Sequence, residues 1–214
     1  EVPSLGDYAD LDWPEPQKGH AAMISLLDAD VGRLLAKLKE LGLDEKTIVF
    51  FTSDNGPENT AYGRIREYGH YSMAHLRGLK RDVWEGGHRV PFLVRWPGVV
   101  QPGSTNRDIV SNLDFAETFL DIAGVEVPAD MQGRSLVPLL QGRTPDDWRK
   151  TFYYHYYEFP GAHSVRRHYG VADGRYKLIH FYPNPWDASP IDEWELYDLQ
   201  EDPQELPLED PDQH

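Results

Sequence analysis

Two short groups of residues carry the chemistry that this sequence can offer. The first is Asp54-Asn55-Gly56-Pro57. A carboxylate beside a side-chain amide supplies two hard oxygen donors, which suit calcium or magnesium rather than zinc. Gly56 lets the backbone bend tightly around an ion. The same tripeptide is also an ordinary turn former, and on its own the turn is the favoured reading. The second group runs Arg77-Gly78-Leu79-Lys80-Arg81 into Trp84-Glu85-Gly86-Gly87-His88-Arg89. The ammonium of Lys80, in a glycine-containing loop, is a compact point charge that can hold an oxyanion during group transfer. Against this stands a solvated basic stretch that only balances an acidic protein. Gly86 and Gly87 permit a close approach of backbone to a ligand or to another segment. Among the histidines, His70, His75 and His88 flank Lys80, while His163 and His168 lie near Arg166 and Arg167. Exposed loop positions are the favoured reading for all of them, and His168 is the one retained as a weak substrate-binding candidate. The run Tyr153-Tyr154-Tyr156-Tyr157 reads as a strand face before it reads as a carbohydrate platform.

These groups need elements to hold them. Residues 1–18, with Pro3, Pro14 and Pro16, read as an irregular lead-in. From His20, the apolar residues Ile24, Leu27, Val31, Leu34, Leu35, Leu38 and Leu41 recur at three- and four-residue steps, which predicts an amphipathic helix closed by Gly42. The run Thr47-Ile48-Val49-Phe50-Phe51-Thr52 predicts a strand buried on both faces, as in a parallel α/β sheet. Asp54 and Asn55 thus stand at the carboxyl end of that strand, the edge where open α/β sheets bind ligands. A second strand is predicted over 90–96. A helix is predicted over 113–123 with Asn112 or Asp114 as its cap, and one helical turn within 133–142. Beyond residue 142 the composition shifts. A Tyr- and Phe-rich strand, a hairpin turning at Asp173-Gly174, and a strand at Glu195 to Leu199 predict a small antiparallel sheet. The expected division is 1–142 for the α/β part and 143–214 for the antiparallel part.

The chain has 214 residues, 36 acidic against 21 basic, with a formal net charge of −15. That balance excludes a nucleic-acid groove and an anionic lipid surface, both of which demand clustered Lys and Arg. No run approaches the length of a membrane span. Hydrophobic residues at 40% and aromatics at 12% are enough for a packed core. There are 0 cysteines, so disulfides, thiolate metal sites and a cysteine nucleophile are absent from these residues.

Taken in order, the strand-Ser-Asp-Asn-Gly-Pro loop, Arg77-Gly78-Leu79-Lys80 and Trp84-Glu85-Gly86-Gly87-His88-Arg89-Val90-Pro91 closely resemble the sulfatase family of the alkaline-phosphatase-like superfamily. Trp96-Pro97-Gly98, Asn112-Leu113-Asp114, Gly174-Arg175-Tyr176-Lys177-Leu178 and Leu196-Tyr197-Asp198-Leu199 extend the likeness over nearly the whole chain. The resemblance implies an α/β fold: the C-terminal part of an alkaline-phosphatase-like sheet-and-helix domain, followed by a small antiparallel β (α+β) subdomain. It implies that Asp54 and Asn55 are calcium ligands and that Lys80 is the catalytic lysine contacting the sulfate. The family carries Gly before that lysine, and this chain carries Leu79.

The resemblance further implies a nucleophile, a formylglycine made from Cys or Ser in a Cys/Ser-x-Pro-x-Arg motif. No Cys occurs here, and no Ser is followed by x-Pro-x-Arg. The expectation is therefore a C-terminal part of a longer sulfatase whose nucleophile lies upstream, inactive as an isolated chain. The expected partners are a sulfated small molecule or carbohydrate, and either the N-terminal half of the same enzyme or a second copy in a homo-oligomer. Neither nucleic acid nor membrane is expected. Periplasmic or secreted localisation follows from the resemblance alone. The alternatives are a phosphate or phosphonate monoester hydrolase of the same superfamily and a non-catalytic binding domain derived from a sulfatase.

Overall fold

The computed structural model describes residues 2–158, 165–183 and 191–206. Their elements, in chain order, are α1 (Glu15–Glu40), β1 (Val49–Thr52), α2 (Thr60–Tyr68), α3 (Glu85–His88), β2 (Phe92–Arg95), α4 (Asp114–Ile122), α5 (Val137–Leu140), β3 (Phe152–Tyr156), β4 (His168–Ala172), β5 (Tyr176–Phe181) and β6 (Glu193–Asp198). Contacts within the chain gather into two compact units: residues 1–49 with 95–99, and residues 50–94 with 100–214. Neither begins or ends at residue 142.

The first unit is built on α1. The helix starts at Glu15, five residues ahead of the predicted start, with Pro in its first turn, where a missing N–H leaves no bond unmade. The lead-in is therefore shorter than the sequence suggested, and His20 lies inside the helix. Its end matches the expectation: Gly42 is left-handed at φ 66°, and Leu43 donates its N–H back to the Leu38 carbonyl at 2.9 Å. Ala22 is the one buried residue of α1, while Ile24, Leu27, Leu34 and Leu41 of the predicted apolar stripe are exposed. Arg95 donates to the Asp44 carbonyl at 2.8 Å within this unit.

The second unit holds three small cores. Strand β1 pairs with β2. The prediction that β1 is buried on both faces fails here, since Phe51 and Thr52 are exposed. Phe50 does find partners, stacking on Phe92 at 5.8 Å and meeting Phe119 edge-on at 5.3 Å. Leu136, Leu139 and Trp148 form one core, with Phe92, Phe115 and Val110 against it. Helix α4 begins as foreseen, but neither Asn112 nor Asp114 caps it with its side chain. Asp114 instead reaches back to accept the N–H of Ser111 at 2.8 Å.

Strands β3 to β6 form an antiparallel sheet in sequence order. The predicted hairpin is present: Asp173 donates its N–H to Tyr176 at 3.0 Å across Gly174, whose φ is 88°. Alternation along β4 and β5 buries His168, Gly170, Lys177 and Ile179, the face that packs on residues 77–88. Gly170 is required there, because a Cβ would come 2.8 Å from Val83 Cγ2. No helix among the described residues is long and apolar enough to cross a membrane.

Candidate anion and metal site

Three backbone segments of the second unit are pressed together without side chains between them. The Gly56 N–H donates to the Gly87 carbonyl at 2.9 Å, and the Lys80 N–H donates to the Pro57 carbonyl at 2.9 Å. A Cβ on Gly56 would overlap the Gly86 carbonyl, and one on Gly87 would overlap the carbonyls of Leu79 and Asp82. A Cβ on Gly86 would stand 2.5 Å from the Gly78 carbonyl oxygen and 2.6 Å from that of Arg77. Close approach is what the adjacent glycines provide, and the approaching group is backbone. The loop bearing Asp54 and Asn55 and the loop bearing Lys80 are thereby fixed side by side.

Lys80 and Arg81 sit at the tip of a turn that Asp82 closes twice. The Asp82 N–H donates to the Leu79 carbonyl at 2.9 Å, and the Leu79 N–H donates to Asp82 Oδ2 at 2.8 Å. Burial raises the Asp82 carboxyl above its ordinary pKa, opposed by the Leu79 N–H. Arg81 has φ 83°, a left-handed conformation that turns normally reserve for Gly. Lys80 Nζ lies 3.3 Å from Glu58 Oε1, and an Arg81 guanidinium nitrogen lies 3.5 Å from Glu58 Oε2. The hydrogen bond from Lys80 holds the Glu58 carboxyl below its usual pKa, although burial opposes it.

Beneath this turn, the antiparallel sheet supplies a polar base. Lys177 is fully buried and donates to the Val83 carbonyl at 3.0 Å. It lies 2.6 Å from Glu85 Oε1 and 2.8 Å from Glu205 Oε1. Burial raises Glu205, whereas the Lys177 charge overcomes burial at Glu85 and lowers it. Arg77 stacks 3.9 Å over Trp84 and donates to Tyr197 Oη at 2.9 Å and to the Glu205 carbonyl at 2.7 Å. Trp84 Nε1 donates to Glu195 at 2.9 Å. Tyr154 Oη donates to the Arg81 carbonyl at 3.4 Å, which pins the strained residue to β3.

Asp54 is exposed and Asn55 half-buried, with the Ser53 hydroxyl donating to the Asn55 main-chain carbonyl at 3.0 Å. Their side-chain oxygens are therefore not consumed by core contacts. Two oxygens are the right kind of donor for calcium but fewer than the six to eight it takes. Among the described residues there is no group of three or more His, Asp or Glu side chains that could hold a metal.

The histidines fall elsewhere. His88 is largely buried, stacked on Phe152 at 5.9 Å, with Nδ1 3.0 Å from the Trp84 carbonyl oxygen. Burial first, then the Lys177 charge, push it down to about 4. His168 is 1% exposed, its ring stacked against Tyr154 at 5.8 Å and Tyr156 at 5.6 Å. Its Nδ1 lies 2.7 Å from the Arg166 carbonyl oxygen, and burial lowers its pKa. His70 and His75 are exposed. His163 lies outside the described residues.

Sequence reasoning passed over Glu58 and the whole of α2, and it left Arg81 in the basic stretch with no role of its own. Glu58 follows the Asp54–Pro57 cluster directly and Arg81 adjoins Lys80. That adjacency was the available signal, but only the folded loops show the two side chains meeting.

The family model described as "Sulfatase" matches residues 16–125, and that described as "N-sulphoglucosamine sulphohydrolase, C-terminal" matches residues 75–211. An N-acetylglucosamine-6-O-sulfatase of Bacteroides thetaiotaomicron is 44% identical over 200 residues, covering 92% of this chain and 32% of that protein. Arylsulfatase A of Homo sapiens is 38% identical over 157 residues, covering 73% of this chain and 29% of the relative. A solved structure, described as a complex with its substrate D-glucosamine-2-N,6-O-disulfate, superposes with a TM-score of 0.73 at 43% identity, covering 88% of this chain and 35% of that one. A phosphonate monoester hydrolase from Silicibacter pomeroyi superposes with a TM-score of 0.63 at 25% identity, covering 91% of this chain and 38% of that one. The chain spans about a third of the length of the relatives it matches.

Proposed function

The chain belongs to the sulfatase family, and from that premise we propose that it forms the metal-and-anion half of an active site hydrolysing sulfate esters on a sulfated carbohydrate, with glucosamine sulfates the first substrates to try. The observation that carries this reading is the pair of backbone bonds, Gly56 to Gly87 and Lys80 to Pro57, that fixes the Asp54-Asn55 loop beside the Lys80 turn. Asp54 is exposed and the Lys80 side chain is 35% exposed, and we read the two loops as meeting one sulfate group together.

Asp54 and Asn55 are assigned as oxygen ligands of calcium, with magnesium the weaker candidate. Further ligands come from outside the described residues. Calcium, when bound, supplies Lewis acidity toward a sulfate oxygen. Asp54 offsets part of the ionic charge, and Asn55 adds a neutral donor. The Lys80 ammonium neutralises charge on the oxygens of the transferred group. The nucleophile, a formylglycine in this family, has no precursor motif among these residues and is assigned to sequence beyond them. The buried His168 supports β3 and β4 in this reading, and its part in substrate binding would be indirect. The division at residue 142 is proposed as the border between the sheet-and-helix part and the antiparallel subdomain.

The test is sulfate release from 6-O-sulfated glucosamine by the intact protein in calcium. Asp54→Ala and Lys80→Ala are expected to lower the rate by about a hundredfold or more each. Retained rates in both variants would sink the assignment. The likeness to a phosphonate monoester hydrolase gives the second reading its footing, and faster cleavage of a matched phosphonate ester would favour it. The 214-residue chain alone is expected to turn over no aryl sulfate.

A further inference from the structure

We infer that Arg81 is a second anion-binding residue beside Lys80, and that the carboxylate of Glu58 occupies their shared anion position until a sulfate group displaces it. This rests on the reading of Lys80 as a sulfate contact and deepens it. The two oxygens of Glu58 divide between the two cations, Oε1 at 3.3 Å from Lys80 Nζ and Oε2 at 3.5 Å from Arg81. A carboxylate bridging two cations marks a place where an oxyanion of similar span is held by both.

Three features separate this arrangement from a chance surface pair. Arg81 is a non-glycine residue at φ 83° in a position where Gly would fold more easily. Such strain persists only where the surroundings enforce it, and here the double Asp82 closure and the Tyr154 bond to the Arg81 carbonyl do so. Secondly, the guanidinium is not spread on the surface: the Arg81 side chain is 18% exposed, against 51% for Glu58. The cation is held and the carboxylate is the mobile partner. Thirdly, Glu58 follows Pro57, whose carbonyl receives the Lys80 N–H. The placeholder and the cations it covers are therefore tethered through one backbone bond, and the carboxylate can swing aside without either loop moving.

Glu58 then sets the threshold for anion entry. A sulfate ester carries the same single charge as the carboxylate but has three terminal oxygens with which to meet both cations, and free sulfate, a dianion, competes more strongly still. A sulfate oxyanion contacting both Lys80 and Arg81 replaces the carboxylate, which turns to solvent. No covalent step is involved.

Sulfate ion binding to the intact protein in calcium, measured by titration calorimetry, decides the matter. Glu58→Gln removes the competing charge and keeps the shape, and is expected to tighten sulfate binding about two- to fivefold, the range set by an exposed ion pair. Arg81→Gly relieves the left-handed strain, so the thermal midpoint should hold or rise while sulfate binding weakens about five- to tenfold. That split is one a purely structural arginine would not give. Unchanged or weaker binding in Glu58→Gln overturns the placeholder, and unchanged binding in Arg81→Gly overturns the second cation. If sulfate binding is also indifferent to Lys80→Ala, the underlying reading of Lys80 as a sulfate contact fails with them.

Discussion

Two regions of the second unit set carboxylates against arginine or lysine, and they treat those charges in opposite ways. At the start of α4, Asp114 is completely buried and every oxygen valence is spent inward. Arg149 reaches it with a two-pronged contact, one prong at 2.9 Å, while the N–H groups of Arg134 and Ser111 add bonds at 2.9 and 2.8 Å. Nothing is left to offer a ligand. At the 54–58 and 77–82 loops the order is reversed. The backbone does much of the inward bonding, glycine against carbonyl, with Arg77 and Asp82 also bonded inward, while Asp54, Glu58 and Lys80 keep side chains open to solvent with replaceable partners. A polar group satisfied from all sides fixes a fold, whereas one held by its backbone and loosely paired at its tip is available for chemistry.

The sharpest way to break this contrast is Asp114→Ala. It strands a half-buried guanidinium and two N–H groups, so the expected loss is about 3 kcal/mol, read from urea unfolding, with no specific effect on sulfate affinity in whatever folded fraction remains. Gly87→Ala attacks the other region through the backbone. Its Cβ would overlap the carbonyls of Leu79 and Asp82, costing about 1–3 kcal/mol, and displacing the Lys80 turn should weaken sulfate binding as well. If Gly87→Ala lowered stability and left anion binding intact, the idea that glycine packing positions Lys80 would fail.

Acid sensitivity separates the regions by pH. His88 is held down to about 4 in the folded state against an ordinary 6.5, with burial the leading cause. The unfolded chain therefore binds the extra proton first, and stability present above pH 6.5 falls as pH drops toward 4. Burial lowers His168 too, which adds a loss of the same sign. His88→Asn should flatten part of that fall in urea midpoints between pH 7 and 4.5; an unaltered slope would remove His88 as its source. The smallest effect is expected at Asp147, whose partner Arg134 is 3.0 Å away but whose own side chain is 80% exposed. Asp147→Ala should change stability by less than about 0.5 kcal/mol, against several for Asp114→Ala.

The comparison also shows how much was legible beforehand. The antiparallel sheet was readable because its period-two patterning and the Asp173-Gly174 turn are local signals. Helix α4 was readable from its apolar spacing, but the role of Asp114 was not. A cap and a buried ion-pair hub use the same residue type, and the partner Arg149 lies 35 positions away. Strand β1 looked like a doubly buried strand because four large apolar residues follow one another. Here only Phe50 acquires an aromatic cage, while Phe51 stays exposed. Helix α2 went unseen because it is short and mostly polar, and its left-handed closing residue, Gly69, sits amid other turn signals.

By itself the sequence determined which side chains are chemically competent: the hard oxygens of Asp54 and Asn55, the ammonium of Lys80, and the absence of any cysteine. It also determined that glycines stand where backbones must come close, since only residues without a Cβ serve there. Which backbones meet was decided by tertiary structure alone. The bonds joining Gly56 to Gly87 and Lys80 to Pro57 span more than twenty residues, and no periodic pattern encodes a contact between two loops. The pairing of Glu58 with Lys80 and Arg81 belongs to the same class. It depends on where the sheet pins the Arg81 turn, and that position is set by packing around Val83 and Lys177 rather than by any property of residues 58, 80 and 81.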